Sequence, residues 1–490
     1  MRSNYIHFSS PQYRLLSDKQ IEELHFASLQ ILERTGVAFE CQEALDLLAE
    51  AGADVSDPNR VKIPSYLVEQ ALRTAPKTIT IYTRDGEPAM VLNGMTSHFG
   101  GHNALAEYLD PYTGQKRQCY PEDIADMARV IDALPNIEWS YIVSSYATVP
   151  AAIADKVAIL QAILNTSKPV AYCLVDVSRL REVLKFCAMV AGGEKELQAK
   201  PFLIGSSEPV TPLVQGKDAV EKSLLCAEKG IPNFVYSAPL AGANAPATFP
   251  ALLAIGNAEF LSQLVVIQLK KPGAPVIYGS IPTLFDMKTT ICSYGAPESN
   301  FLPAAMAELG HYYGLPVFGK AGNTDADVVD AQAAAEATYQ ILLAALAGAD
   351  FIHGLGEMNE GRMASPEYAV FGKEIVDMVK VTMQGIEINE ETLPLDLIER
   401  IGPRGTYISE KHTLKYFRKF WAPTIFDRSV VKDENTKRCH DLLREKTIEI
   451  LKKHQPKPLP EDLVKELKKV EESWFKQIGA EYKYPKRPQM

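Results

Sequence analysis

The apolar positions of this chain fall into short strand-like runs that recur about every 30–40 residues, each followed by a longer stretch with helical spacing. The runs begin near His98 (HFGGHN), Trp139 (WSYIVSSY), Val170 (VAYCLVD), Phe202 (FLIGSSE), Phe234 (FVYSAPL), Val276 (VIYGSIP), Val317 (VFGKAGN) and Phe351 (FIHGLGE). All but the first are β-branched or aromatic and give way to Gly, Ser, Pro, Asn or Glu; the first is shorter and less apolar. The helical stretches between them read as Glu122–Leu134, Ala154–Asn165, Ser178–Ala191, Gly216–Lys229, Pro250–Lys270, Pro303–Tyr313, Val328–Ala347 and Tyr368–Gln384. Such alternation predicts an α/β chain folded as a (β/α)8 TIM barrel over residues 96–390, with its chemistry at the C-terminal ends of the strands.

The flanks read differently. Residues 1–95 form a helical module: a helix capped at Ser17-Asp18 and running through Leu32, helices Gln42–Ala51 and Pro64–Thr74, then a hairpin of Thr78–Tyr82 and Ala89–Leu92 around Arg84-Asp85-Gly86. Residues 391–490 form a helical extension whose Cys439–Lys453 and Leu463–Ile478 stretches alternate Lys and Glu, as solvated helix faces do. Leu105–Pro121 carries the turn Asp110-Pro111-Tyr112-Thr113-Gly114 and reads as a hairpin at the barrel mouth. The connections Pro239–Phe249 and Ile281–Leu302 are long, which suits binding loops.

Composition narrows the function classes. The 46% hydrophobic and 23% charged content is ordinary for a globular protein, and a net charge of -10 argues against a nucleic-acid partner. The 7 cysteines are scattered and none forms a CxxC pair, so a reducing cytoplasm is expected. The N-terminus lacks a signal-peptide pattern, and Ala251–Leu269, the most membrane-like run, carries Asn257, Glu259, Gln263 and Gln268; it reads as a buried barrel helix, so no membrane span is expected. No GxGxxG, GxxxxGK[ST], HExxH or GxSxG motif is present, which sets aside dinucleotide, nucleotide, zinc-protease and serine-hydrolase chemistry.

The strand ends supply the candidates. His353 stands between Ile352 and a Gly-x-Gly turn, where a polar side chain needs a partner or a task. Glu208 precedes Pro209, so its backbone is held extended and its carboxylate is aimed. Tyr146, Tyr172, Tyr236 and Tyr278 lie in or near strands and could frame a quaternary ammonium group by cation–π attraction. His102, Asn323, Asp325 and Glu357 belong to the same mouth. Two rival classes stay open: a metal-dependent barrel lyase or hydrolase with His102, Glu208 and His353 as ligands, and a non-catalytic quaternary-amine binder.

The segments HFGGHNALAEYLDPYTG (98–114), GSSEPVTPL (205–213), GKAGNTDADVVDAQAAAEATYQ (319–340), HGLGEMNEG (353–361) and RGTYISEKHTLKYFRKFWAPTIFDR (404–428) make the chain resemble the trimethylamine methyltransferase superfamily, specifically its members without pyrrolysine. The resemblance implies transfer of a methyl group from an amine to the cobalt of a cognate corrinoid protein, within an anaerobic type of one-carbon metabolism. Every position here is a standard amino acid. The resemblance therefore points to quaternary donors such as glycine betaine, proline betaine or carnitine, which already carry the positive charge and a neutral leaving group. It assigns catalytic tasks to His353, Glu208 and Asn323, with His353 orienting the amine or protonating the product. Substrate contacts fall to Tyr146, Tyr172, Tyr236, Tyr278, His102, Asp325 and Glu357, and the donor's carboxylate to Lys320, Arg362 or His102. No metal and no tightly held cofactor is expected on this chain, since the corrinoid belongs to the docking partner. The large apolar barrel helices point to a homo-oligomer.

Overall fold

The computed structural model describes residues 10–94, 96–143, 148–430, 433 and 436–488. Eight parallel strands, β1 (His98–His102), β2 (Ile137–Val143), β3 (Val170–Cys173), β4 (Leu203–Ser207), β5 (Asn233–Ser237), β6 (Val276–Ser280), β7 (Phe318–Lys320) and β8 (Phe351–Leu355), pair in sequence order. β8 pairs β1, and a bridge between Tyr278 and Val317 joins β6 to β7, so the sheet closes into a barrel. The helices α1 (Pro121–Ala133), α2 (Ala154–Asn165), α3 (Val177–Ala191), α4 (Lys217–Lys229), α5 (Phe249–Lys270), α6 (Glu298–Tyr312), α7 (Ala331–Leu346) and α8 (Pro366–Met383) follow their strands in turn. Several start where a side chain takes the free backbone donors: Asp176 accepts from Arg179, Asp330 from Gln332 and Ala333, and Ser365 from Tyr368. The largest helix-boundary difference from the sequence reading is at the start of α6. α6 begins at Glu298, ahead of Pro303, because the Ser299 hydroxyl and Asn300 amide bond the carbonyls of Ser293, Tyr294 and Ala296 and hold the extra turn.

Strand alternation sorts the core into two shells. Trp139, Tyr141, Ala171, Ile204, Phe234, Tyr236, Ile277, Phe318 and Phe351 pack inside the barrel. Their strand neighbours Ile142, Tyr172, Val235, Tyr278 and Ile352 pack outward under the helices. The poverty of β1 has a steric cause. A Cβ on Gly100 would lie 2.2 Å from the Trp139 indole, which stacks on Phe351 with ring centroids 3.7 Å apart. Trp139 fills the space that a side chain at Gly100 would occupy, and Ile131 of α1 fills that beside Gly101.

The hairpin Ile79–Tyr82/Pro88–Leu92 plugs the far end. Its Ile79, Ile81, Met90 and Leu92 belong to the inner shell. Tyr82 and Arg84 donate backbone bonds to Pro201 and Ser167, residues just ahead of β4 and β3. Asp350, just ahead of β8, accepts from the backbone N–H of Asn93 (2.9 Å), Gly94 (2.6 Å) and Val317 (2.9 Å). The N-terminal module thus seals the barrel opposite its mouth. Asp350→Asn replaces one acceptor oxygen with a donor that faces N–H groups; urea unfolding is expected to show a loss of about 1.5 kcal/mol with an unchanged m-value.

α5 is long and apolar enough to cross a membrane, but 89% of its most apolar window is buried. Its polar side chains are bonded within the fold: Asn257 to Ser28 and Tyr313, Glu259 to Thr211 and Leu213, Gln263 to Ser223. The charged C-terminal helices Cys439–Lys453 and Glu461–Gln477 also have buried faces, carried by Leu443, Ile450 and Leu451 and by Leu467, Trp474 and Phe475. At the mouth, Glu107–Leu109 and Lys116–Gln118 form the expected hairpin, joined by Met363–Ala364 and Glu357–Met358. Leu240–Ala241, Thr283–Asp286 and Ile291–Ser293 make a second small sheet from the two long connections.

Candidate active site

The upper barrel layer is built by alternation above the apolar floor. His102 (β1), Tyr141 (β2), Cys173 (β3), Tyr236 (β5), Lys320 (β7) and His353 (β8) share the inward parity of the floor residues. Glu208 follows β4, Asn323 follows β7 and Glu357 follows β8. Most of this layer is buried, whereas Cys173 is half-buried and Glu208 is exposed.

Two polar chains run through it. On one side, His102 Nε2 and His353 Nδ1 are 2.9 Å apart, and His102 Nε2 lies 3.6 Å from a Glu357 carboxylate oxygen. Asn323 donates to Glu357 at 3.5 Å. On the other side, the hydroxyls of Tyr141 and Tyr236 are 3.4 Å apart, and the Tyr236 hydroxyl donates to Glu208 at 3.2 Å. Ring contacts join the two. His102 meets Tyr141 edge-on at 4.9 Å, Phe318 stacks on His353 at 4.9 Å, and Tyr236 lies 5.3 Å from Phe318. Tyr141, Tyr236 and Phe318 thus stand between the two polar chains, and this layer is the candidate cup.

Its electrostatics follow from burial. Burial, then the neighbouring His102 and Lys320, drives the His353 imidazole well below its ordinary value. Burial also lowers His102, against the pull of Glu357. Both rings are therefore neutral near pH 7. Glu357 beside His102 Nε2 favours the proton on that nitrogen, which then donates to His353 Nδ1. His353 Nε2 is left carrying a hydrogen, and it has no bonding partner among the described residues. Lys320 is buried, its Nζ lies 4.1 Å from the Tyr294 ring centroid, and it too has no hydrogen-bond partner among the described residues. Burial pushes its ammonium down to about 8, while Glu357, Cys292 and Asp325 support the charge. Burial raises the Glu208 carboxyl, against the Tyr236 hydrogen bond and the Lys222 charge.

The structure brings together His102, Glu208, Tyr236, Asn323, His353 and Glu357. It separates others. Tyr172 and Tyr278 point out of the barrel: the Tyr172 hydroxyl contacts Cys226 Sγ at 3.6 Å, and the Tyr278 hydroxyl donates to Asn257 at 3.0 Å, beside Phe260. β5 and β6 pair Tyr236 with Gly279 and Val235 with Tyr278, so Gly279, not Tyr278, faces the cup. A Cβ there would stand 2.9 Å from that of Tyr236, so the glycine gives the tyrosine its room. Asp325 anchors a loop, accepting from the Ser293 hydroxyl and, at 2.7 Å, from the Tyr294 backbone. Tyr146 lies outside the described residues. Of the residues offered for a carboxylate, Arg362 is largely exposed and paired with Glu360, His102 is paired with His353, and Lys320 is buried without a hydrogen-bond partner among the described residues.

Sequence reasoning missed Tyr141, Phe318 and Tyr294 as wall residues. The parity of Trp139 along β2 could have found Tyr141, as that of Lys320 along β7 could have found Phe318; Tyr294 sits on a loop and left no signal. A divalent cation would find His102, His353 and Glu357 within reach, since one ligand atom of each lies within 4.8 Å of the others. Glu208, the carboxylate that the sequence had grouped with the histidines, bonds Tyr236 instead. A separate open groove of about 1310 Å³, with Leu24, Phe26, Phe249 and Phe301 in its mostly apolar lining, lies between helix Asp18–Gln30 and the starts of α5 and α6, away from these groups.

Comparison with known proteins gives the chain a family and its fold a relative. A family model described as trimethylamine methyltransferase (MTTB) matches residues 1–472. The trimethylamine methyltransferase MttB of Desulfitobacterium hafniense (strain DSM 10664 / DCB-2) is 33% identical over 472 residues, 95% of this chain and 94% of that one. The MttB of Methanosarcina thermophila is 32% identical over 471 residues, covering 93% and 96%. A glycine betaine methyltransferase of Desulfitobacterium hafniense (strain Y51) is 30% identical over 426 residues, covering 86% and 88%. Among solved structures, the monomethylamine methyltransferase MtmB of Methanosarcina barkeri superposes with a TM-score of 0.54 at 13% identity, covering 90% and 89%; it shares the fold.

Proposed function

The chain belongs to the trimethylamine methyltransferase family, and from that membership we propose that it moves a methyl group from a betaine-type quaternary amine to the reduced corrinoid of a cognate partner protein. The observation that carries the choice of donor is the buried Lys320 ammonium without a hydrogen-bond partner among the described residues, set three strands around the barrel from the Glu208 carboxylate, which is exposed at the end of β4. A cup with a cation at one side, an anion at the other and rings between is matched to a zwitterion. A simple amine would leave Lys320 with the Tyr294 ring and the more distant Glu357 and Asp325 charges but no direct hydrogen-bonded partner among the described residues. The glycine betaine methyltransferase relative supports the same donor class.

The chain's own residues act by binding and orientation. Lys320 and the Nε2 hydrogen of His353 receive the donor carboxylate; β7 and β8 pair Lys320 with His353, so the two stand side by side. Tyr141, Tyr236 and Phe318 surround the onium head by cation–π attraction, with Glu208 behind Tyr236. The partner's reduced cobalt is the nucleophile, and the methyl acceptor approaches from the mouth. Charge on nitrogen disappears in the transition state, so a tight ion pair at the head would favour the ground state. Rings and a carboxylate one hydroxyl away grip more weakly, and the remote carboxylate anchor supplies the binding affinity, equally in ground and transition states. The product is a neutral tertiary amine, so no acid is required, consistent with a neutral His353. The corrinoid protein docks over the mouth, on the Glu107–Gln118 hairpin and the two long connections.

A second reading rests on the convergence of His102, His353 and Glu357: a divalent cation held there would make the chain a metal-dependent lyase or hydrolase. One experiment separates them. The purified chain is mixed with reduced cobalamin and glycine betaine, proline betaine, carnitine, butyrobetaine or trimethylamine, methylcobalamin is followed by absorbance, and tightly held metal is measured on the same sample. Methylation from at least one carboxylated quaternary donor, and slower or none from trimethylamine, is expected. No methylation from any donor, together with one zinc or manganese per chain, would move the assignment to the second reading.

A further inference from the structure

From 384 to 424 the chain turns through helix Leu395–Ile401, helix Lys411–Tyr416 and the short turn Phe417–Lys419, yet none of these residues is buried. Its large apolar side chains stand in solvent: Ile386 is 90% exposed, Ile388 76%, Ile408 79% and Phe420 76%. Helices this short are not stable on their own. Polar contacts fold the segment on itself, with Arg400 on Glu410 at 2.6 Å, Lys415 on Glu391, and the Thr413 hydroxyl on the Tyr407 carbonyl at 2.6 Å. They leave its apolar side without a cover, and exposed apolar surface of this extent marks an interface.

The charge pattern says what fits. Residues 386–402 hold Glu387, Glu390, Glu391, Asp396 and Glu399 against Arg400. Residues 403–428 hold Arg404, Lys411, Lys415, Arg418, Lys419 and Arg428 against Glu410 and Asp427. The arm is therefore acidic in its first half and basic in its second, with exposed apolar residues in both. Such a surface complements itself under a two-fold rotation, where the same patch serves both partners. Its position points the same way. It leaves α8 at Met383, the end remote from the mouth, and returns where Glu374 of α8 accepts from the backbone of Thr424 (2.6 Å) and Ile425 (3.2 Å). The mouth, where a methyl acceptor must approach, stays clear of it.

We propose that the 386–428 arm is the contact between two copies of this chain, packed antiparallel so that the acidic half of each meets the basic half of the other. Sedimentation velocity of the full chain at micromolar concentration tests it. The wild type is expected to run as a dimer or larger. The Ile408→Asp/Phe420→Asp variant, shown to be folded by circular dichroism and an unchanged thermal midpoint, is expected to fall to the monomer mass. Arg418→Glu/Lys419→Glu is expected to weaken association, and adding Glu387→Lys/Glu390→Lys to restore it. A monomeric wild type, one that gains mass only with a corrinoid protein, an Asp variant of unchanged mass, or a charge swap without rescue would each overturn the proposal.

Discussion

Lys320→Met is expected to raise the KM for a carboxylated quaternary donor by about 300-fold, or ~3.4 kcal/mol, the scale for removing one partner of a buried charged pair. Methionine keeps the apolar stem packed over Tyr294 and deletes only the charge. The anchor holds the carboxylate equally in ground and transition states, so kcat is expected to stay within about threefold. The pH profile follows with a defined sign. Burial pushes the free Lys320 ammonium down to about 8. The carboxylate binds only the charged form, so affinity is complete below pH 8 and declines as pH rises above it, with KM climbing about tenfold per unit. In Lys320→Met that alkaline limb should vanish. Tetramethylammonium, which has no carboxylate, is the control. An equal loss for both donors would remove Lys320 from substrate recognition and leave it a packing residue.

Tyr236→Leu is expected to lower kcat/KM about thirtyfold, while Tyr236→Phe stays within about fivefold. The leucine removes the ring face, worth ~2 kcal/mol to a desolvated cation. The phenylalanine keeps the face and removes only the hydroxyl that donates to Glu208 at 3.2 Å, a loss of about 1 kcal/mol. Steady-state rates with the best donor of the panel check both. A phenylalanine variant as impaired as the leucine would mean that the hydroxyl–carboxylate contact, not the ring, carries the recognition.

The barrel was legible because each βα unit writes its own local signal. Apolar β-branched runs of strand length alternate with helical spacing, and the eight strands begin within a few residues of where the pattern put them. Glu208, His353, His102, Asn323 and Glu357 were legible for a related reason: the fold sends every strand end to one mouth, so polar residues there converge whatever their distance along the chain. The wall of the cup was half legible. A period of two tells that Tyr236 and Val235 face opposite ways, but not which way is inward. Tyr278 and Tyr172 look as eligible in the sequence as Tyr236; only the register, with Gly279 beside Tyr236, turns them under the helices.

What the sequence determined by itself is the order of elements, the closure into a barrel and the family. What tertiary structure alone decided is the charge arrangement of the cup. Lys320, Arg362 and His102 look equally eligible in the sequence, whereas their burial and pairing differ: Arg362 reaches solvent and Glu360, His102 is bonded to His353, and Lys320 is buried with no hydrogen-bond partner among the described residues. Tyr294, held over Lys320 by a loop that Asp325 ties down, has no periodic signature at all. Local pattern follows from backbone geometry repeated at short range, whereas desolvation and pairing arise from residues distant in sequence, and these set the energies on which recognition turns.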